Sequence, residues 1–70
     1  MLFVEIRIKG RIDPSWTDWL GGLEVAHIAE GGTLLSGALP DQAALYGLIS
    51  RLRDLGLALI SVEIKEEVGE

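Results

Sequence analysis

The sequence predicts an α+β domain in which four antiparallel strands form a sheet and two helices pack on one face of it. Three observations predict this. Residues 2–9, LFVEIRIK, place Leu2, Val4, Ile6 and Ile8 on one side and Phe3, Glu5, Arg7 and Lys9 on the other, the period of two of a strand with one buried face. Leu45, Leu48, Ile49, Leu52 and Leu55 recur at helical spacing and form one apolar stripe. Between these two segments, Gly31-Gly32 separates two apolar runs in the manner of a hairpin turn.

Taken in order, the first strand ends at Gly10. DPSWTDWLGG then predicts a short first helix. Asp13 suits an N-cap, and Pro14 suits the first turn, where its missing N–H has no partner to lose. Trp16, Trp19 and Leu20, spaced i, i+3, i+4, share a face, and Gly21 or Gly22 can stop the helix in the left-handed conformation. A helix of about two turns needs tertiary packing to persist. LEVAHIAEGGTLLSGAL predicts the hairpin, with imperfect alternation on both arms that leaves its register open.

The second helix begins at ALPDQAAL, with Pro40 at its first position and Asp41 supplying negative charge at the N-terminus. Arg51 and Arg53 complement its C-terminus, and Gly56 closes it. LALISVEIK is the last strand, with Ile60, Val62 and Ile64 on the core face and Leu57, Leu59, Ser61, Glu63 and Lys65 on the open face. The acidic residues 66–70 read as a frayed tail. The order β-α-β-β-α-β in one domain spanning residues 1–70 implies the split βαβ, or ferredoxin-like, arrangement. Its predicted core is Val4, Ile6, Ile8, Trp16 or Trp19, Leu45, Leu48, Leu52, Ile60 and Val62.

Size and composition narrow the function classes. A 70-residue chain holds a single small core, and without cysteine it has neither disulfides nor thiolate metal sites. One histidine makes no zinc site without several carboxylates, so no cofactor is expected. Oligomerisation is the remaining way to add stability, which favours a homodimer. A net charge of −5 argues against nucleic acid as a partner, because phosphate binding needs a basic patch. The longest apolar stretch, LGLALISV, is far short of the ~20 residues of a membrane helix. MLFVEIRIKG lacks the basic start of a signal peptide, and the expected location is the cytoplasm.

The stretches DPSWTDWLGGL and GGTLLSGALPDQAALYGLISRLRDLGLALISV resemble a family of small bacterial proteins of unknown function. Those proteins carry a Gly-Gly-Thr turn, an Asp-Gln-Ala-Ala-Leu helix start and an Arg-Asp-Leu-Gly-Leu helix end. The resemblance covers most of the chain and implies no activity. A His often stands in such sequences where this chain has Tyr46, so the resemblance implies no required acid or base there.

Function must be argued from a site, since one fold hosts many. A metal-carrying version of this architecture uses a Cys-x-x-Cys pair, which is lacking here. An acylphosphatase-like version needs phosphate donors where this chain has Asp13 and Pro14. An RNA-binding version needs aromatics on both central strands, and TLLSG has none. His27, the one obvious acid–base candidate near neutral pH, reads as a half-exposed strand residue without a nucleophile to activate. Trp16 and Trp19 read as packing residues. Gly47, in mid-helix beside Ala43, reads as a close-approach site for the first helix, where a larger residue would overpack.

Two readings remain. The first is a non-enzymatic, self-associating interaction module. Its interface candidates are Phe3, Leu57 and Leu59 on the open sheet face, with Tyr46 and Arg53 on the second helix. The second is a small-ligand regulatory domain resembling ACT domains. Its pocket would lie at a subunit interface near GRIDPS, with Arg11 and Asp13 as ligand candidates. A cofactor-free enzyme ranks last, because no acid, base and nucleophile set assembles.

Overall fold

The computed structural model describes residues 1–16 and 18–67. β1 (Leu2–Lys9) leads through a 3-10 turn at Pro14–Trp16 into β2 (Glu24–Ile28). A second 3-10 turn at Ala29–Gly31 joins β2 to β3 (Gly32–Leu39), and α1 (Gln42–Asp54) and β4 (Ala58–Glu67) complete the chain. The strands form one antiparallel sheet in the order β2-β3-β1-β4. The expectation of two helices on one face is therefore corrected. The described residues hold an α+β fold with four antiparallel strands and a single α-helix.

The first predicted helix starts and does not propagate. Asp13 Oδ1 accepts the Ser15 N–H at 2.9 Å, the Trp16 N–H donates to the Asp13 carbonyl at 3.0 Å, and the Leu20 N–H donates to the Trp16 carbonyl at 3.0 Å. Gly21 and Gly22 then take positive φ angles of 77° and 81°. Helix nucleation is unfavourable until several turns repay it, and Gly-Gly stops the segment first. Trp16 and Trp19, proposed for the core, stay 41% and 47% exposed, while Leu20 is fully buried. Leu20, Leu23 and Ile12 join the single apolar core, so a crossover of turns covers the β2–β3 half of the sheet where a helix was expected. The buried Thr33 hydroxyl donates to the Gly10 carbonyl at 2.6 Å and fixes where that crossover leaves β1.

The hairpin and α1 follow their local signals. A three-residue loop with Gly31 at φ 77° joins Ile28 to Gly32, which face each other in the ladder. α1 starts two residues after Pro40, with Asp41 as N-cap accepting the Ala44 N–H at 2.8 Å. It ends in a Schellman motif: Leu57 N–H bonds the Leu52 carbonyl at 3.1 Å, and Gly56 N–H, at φ 76°, bonds the Arg53 carbonyl at 2.9 Å. Leu45, Leu48 and Leu52 are buried against the core strands, Ile49 packs against the same cluster, and Leu55 remains exposed.

Gly47 is not a close-approach site. A Cβ built there meets nothing within 4 Å, because a cleft of about 480 Å³ separates this flank of α1 from Gly21 and Leu39. The overpacking expectation gives way to its opposite. Gly47→Ala is expected to raise stability by about 1 kcal/mol through reduced unfolded-state entropy alone. A chemical-denaturation midpoint that falls in this variant would contradict the open surroundings.

β4 departs from simple alternation. Its ladder with β1 shifts register twice, pairing Ile8 with Leu59 but Arg7 with Ser61, and Val4 with Ile64 but Phe3 with Glu66. Each shift leaves one residue of β4 over, Ile60 and then Lys65, as a β-bulge does. Directly opposed residues share a face, so Leu59 lies on the side of buried Ile8 rather than on the open face. Ile60, proposed for the core, is 59% exposed, while Val62 packs half-buried against the core. The strand continues to Glu67, so Glu66 and Glu67 are strand rather than tail, and residues 68–70 lie outside the described residues.

Candidate functional site

Three groups of side chains stand out, and the fold positions each differently. The first is the loop GRIDPS beside the edge strand β2. Arg11 Nη1 lies 3.2 Å from His27 Nδ1, and His27 Nε2 lies 3.1 Å from the Ile12 carbonyl. A guanidinium only donates, so Nδ1 accepts and Nε2 carries the proton given to Ile12. Asp13 is held below the ordinary aspartate range, first by the Ser15 backbone N–H and then by the Ser15 hydroxyl. The structure thus gathers Arg11, Asp13 and His27 around one loop. Their hydrogen bonds run to one another, to Ser15 or to the local backbone, which is how a loop is pinned to an edge strand.

The second group is the open sheet face. Glu63 Oε1 accepts from Arg7 Nη1 at 2.9 Å. Glu5 lies 3.8 Å from both Arg7 Nη2 and Lys65 Nζ, and Lys65 reaches Glu63 Oε2 at 3.6 Å. Two acids and two bases form a neutral network within the chain, with Phe3 at one end opposite Ala38. The Arg7 hydrogen bond, followed by the nearby Lys65 charge, holds the Glu63 carboxyl below the ordinary glutamate range.

A depressed carboxylate stabilises the fold above its unfolded pKa, about 4.3 for Glu, and that contribution is lost as pH falls through the folded value. NMR titration is expected to find Glu63 ionising below the usual range, and Arg7→Gln is expected to move it upward. An unchanged titration in Arg7→Gln would show that the bond does not persist in solution.

The third group lies along α1 and β4. Of the five interface candidates, Phe3 keeps its place on the open face, and Leu57 packs partly against the core. Leu59, Leu57 and Arg53 line a cleft of about 440 Å³ with Ile49, Leu52 and Gly56. Arg53 is exposed there, its guanidinium 3.6 Å from the Asp54 carboxylate. Tyr46 stands exposed on α1 and lines none of the clefts described here. Beyond the cleft run Leu59, Ile60 and Ile64, 43%, 59% and 46% exposed, on a strand whose other edge pairs with no strand in the sheet. Sequence reasoning places Ile60 in the core and Ile64 on the core face because both alternate with Val62; Ile64 does lie opposite buried Val4, but on an edge strand it stays exposed.

On the opposite flank of α1, Trp16, Trp19 and Leu55 line an apolar cleft of about 280 Å³. The indoles meet edge to face, with centroids 5.9 Å apart. Arg51, read from sequence as a helix-end charge, ties this flank down. Its Nη1 donates to the Trp19 carbonyl at 3.0 Å, and its guanidinium carbon lies 5.8 Å from the Trp19 ring centroid.

Among the described residues, no group of three or more His, Asp or Glu is placed to hold a metal ion, and no helix is long and apolar enough to cross a membrane. Comparison with known proteins finds no matching curated protein and no matching solved structure. A family model described as a domain of unknown function, DUF8691, matches residues 3–63. That match spans nearly the whole sheet and all of α1, and the chain belongs to this family of uncharacterised domains.

Proposed function

We propose that this chain is a small, non-enzymatic interaction module that works by self-association, and that the surface it uses is the free edge of β4. One observation carries the reading: Leu59, Ile60 and Ile64 lie exposed on a ten-residue edge strand whose outer backbone groups, among the described residues, have no strand to pair with. Such an edge is a template for another strand, and a chain this small gains stability from a second subunit. The open face supports the reading less well than the edge, because its charges already satisfy one another. Tyr46 and Arg53 flank the edge on α1, and Arg53 reaches its cleft.

Sedimentation equilibrium tests this directly. Wild type is expected to self-associate in the micromolar range. Ile60→Lys is expected to weaken association by about tenfold or more, equivalent to at least ~1.4 kcal/mol. A wild-type monomer at high micromolar concentration would sink the proposal.

The convergence of Arg11, Asp13 and His27 on one loop favours a second reading, a small-ligand regulatory domain whose anionic ligand would take Arg11 from His27. A metabolite that raises the melting temperature of wild type but not of Arg11→Ala would establish it, since a ligand of the native state alone stabilises that state.

A further inference from the structure

We infer that two copies of this chain pair β4 against β4, antiparallel about a two-fold axis at Val62, so that two four-stranded sheets become one continuous sheet. This rests on the self-association reading and specifies its geometry.

The other free edge, β2, is half as long, and its His27 is engaged with Arg11 and Ile12, so β4 is the edge open to pairing. A two-fold axis normal to the sheet keeps each face on its own side. It therefore passes through a residue, not between two. The unbulged run of β4 between its two register shifts is Ser61 to Ile64, which limits the centre to that run. An axis at Glu63 would set that carboxylate against its own copy, a destabilising like-charge pair, and an axis at Ile64 would set Val62 across from the charged Glu66. An axis at Ser61 would put Leu59 across from Glu63 and leave Ile64 across from Ala58.

An axis at Val62 sets Ile60 across from Ile64 twice, covering the two most exposed isoleucines, with Val62 against itself between them. It also brings Ser61 alongside Glu63 of the second copy. Among the described residues, the Ser61 hydroxyl is buried without a hydrogen-bond partner.

Charge complements this register. Glu67 pairs with Leu2 and therefore lies on the helix side of the sheet. In the dimer it comes to the start of the other β4, where Leu57 and Leu59 share a cleft with Arg53. The acidic end of each strand then meets the exposed guanidinium of the other copy, a local attraction between two chains that each carry a net charge of −5.

The chain has no cysteine, so one introduced thiol reports position unambiguously. Opposed residues in an antiparallel pair lie about 4.5–5.5 Å apart at Cα, within disulfide reach. Under mild oxidation, Val62→Cys is expected to convert mostly to a covalent dimer. Ile60→Cys alone is expected to cross-link poorly, and to do so readily when mixed with Ile64→Cys. Independently, Arg53→Glu should weaken the wild-type association several-fold, and adding Glu67→Lys should restore it.

A wild-type dimer in which Ser61→Cys or Glu63→Cys cross-links and Val62→Cys does not would overturn the register while leaving self-association standing. A dimer that no β4 cysteine captures would move the interface off this edge. A monomeric wild type would overturn both readings and leave the edge to a strand from a different protein.

Discussion

Replacing Leu20 with alanine is expected to cost about 2–5 kcal/mol of stability, the range for a fully buried leucine that leaves a cavity. A chain of this length commands roughly 4–10 kcal/mol in total, so the loss is a large share of the whole. The reason is the crossover between β1 and β2. Among the described residues of its turn region, Leu20 is the one that reaches the core, where it joins Leu23 and Ile12. Trp16, a larger side chain in the same segment, is half-exposed, and Trp16→Ala should cost far less. Urea unfolding of the two variants separates them by their midpoints. Equal losses would mean that a Trp-bearing face, rather than Leu20, covers the sheet.

Gly37→Ala is expected to destabilise by about 1–3 kcal/mol, from a backbone conformation that L residues rarely hold together with a tight contact. Gly37 sits in β3 opposite Val4 with φ at +146°, and a Cβ there would stand 3.0 Å from Leu23 Cδ2 and 3.6 Å from Leu23 Cα. The end of the crossover lies against this bare stretch of β3, and a methyl group would make the Leu23 side chain give by a few tenths of an ångström. The same substitution at Gly47 has the opposite expected sign, because α1 favours Ala and the space is open. A shared sign for the two variants would contradict the contacts described at one of these glycines.

Much of the fold was legible in local chemistry. The strict alternation of residues 2–9 gave β1, and all four of its inward residues are buried. Asp41, the leucine stripe and Gly56 marked α1, and each serves as its cap, its core face or its stop. Gly31 gave the hairpin turn. The first helix was misread because its capping signals are real. Asp13 and Pro14 start a turn, and only the balance between nucleation cost and the burial gained decides whether a turn becomes a helix. Trp16 and Trp19 looked like a core face by spacing, yet the sheet beneath is filled by Leu20 and Leu23.

The candidate site was less legible. Arg11, Asp13, Arg53 and Leu59 were named from sequence, but their neighbours were not. The contact of Arg11 with His27 joins residues 16 apart in the chain, and that of Arg51 with Trp19 joins residues 32 apart. No local pattern encodes such distances. Ile60 reads as core, and Ile64 as its neighbour on the core face, because a period of two is the only rule a lone strand offers.

By itself, the sequence determined the four strands, the hairpin turn, and α1 with its glycine stop, while the helix start falls at Asp41 rather than with Pro40 as its first residue. These depend on periodicity and on backbone groups that find partners within a few residues. Tertiary structure alone decided that the crossover stays a string of turns, that β4 bulges at Ile60 and Lys65, and that β4 stands at a sheet edge where its aliphatic side chains stay exposed. Each of those outcomes is set by how one element fits against another across the sheet. A bulge exists only relative to the strand it pairs with, and an edge is free only once every other strand has taken its place.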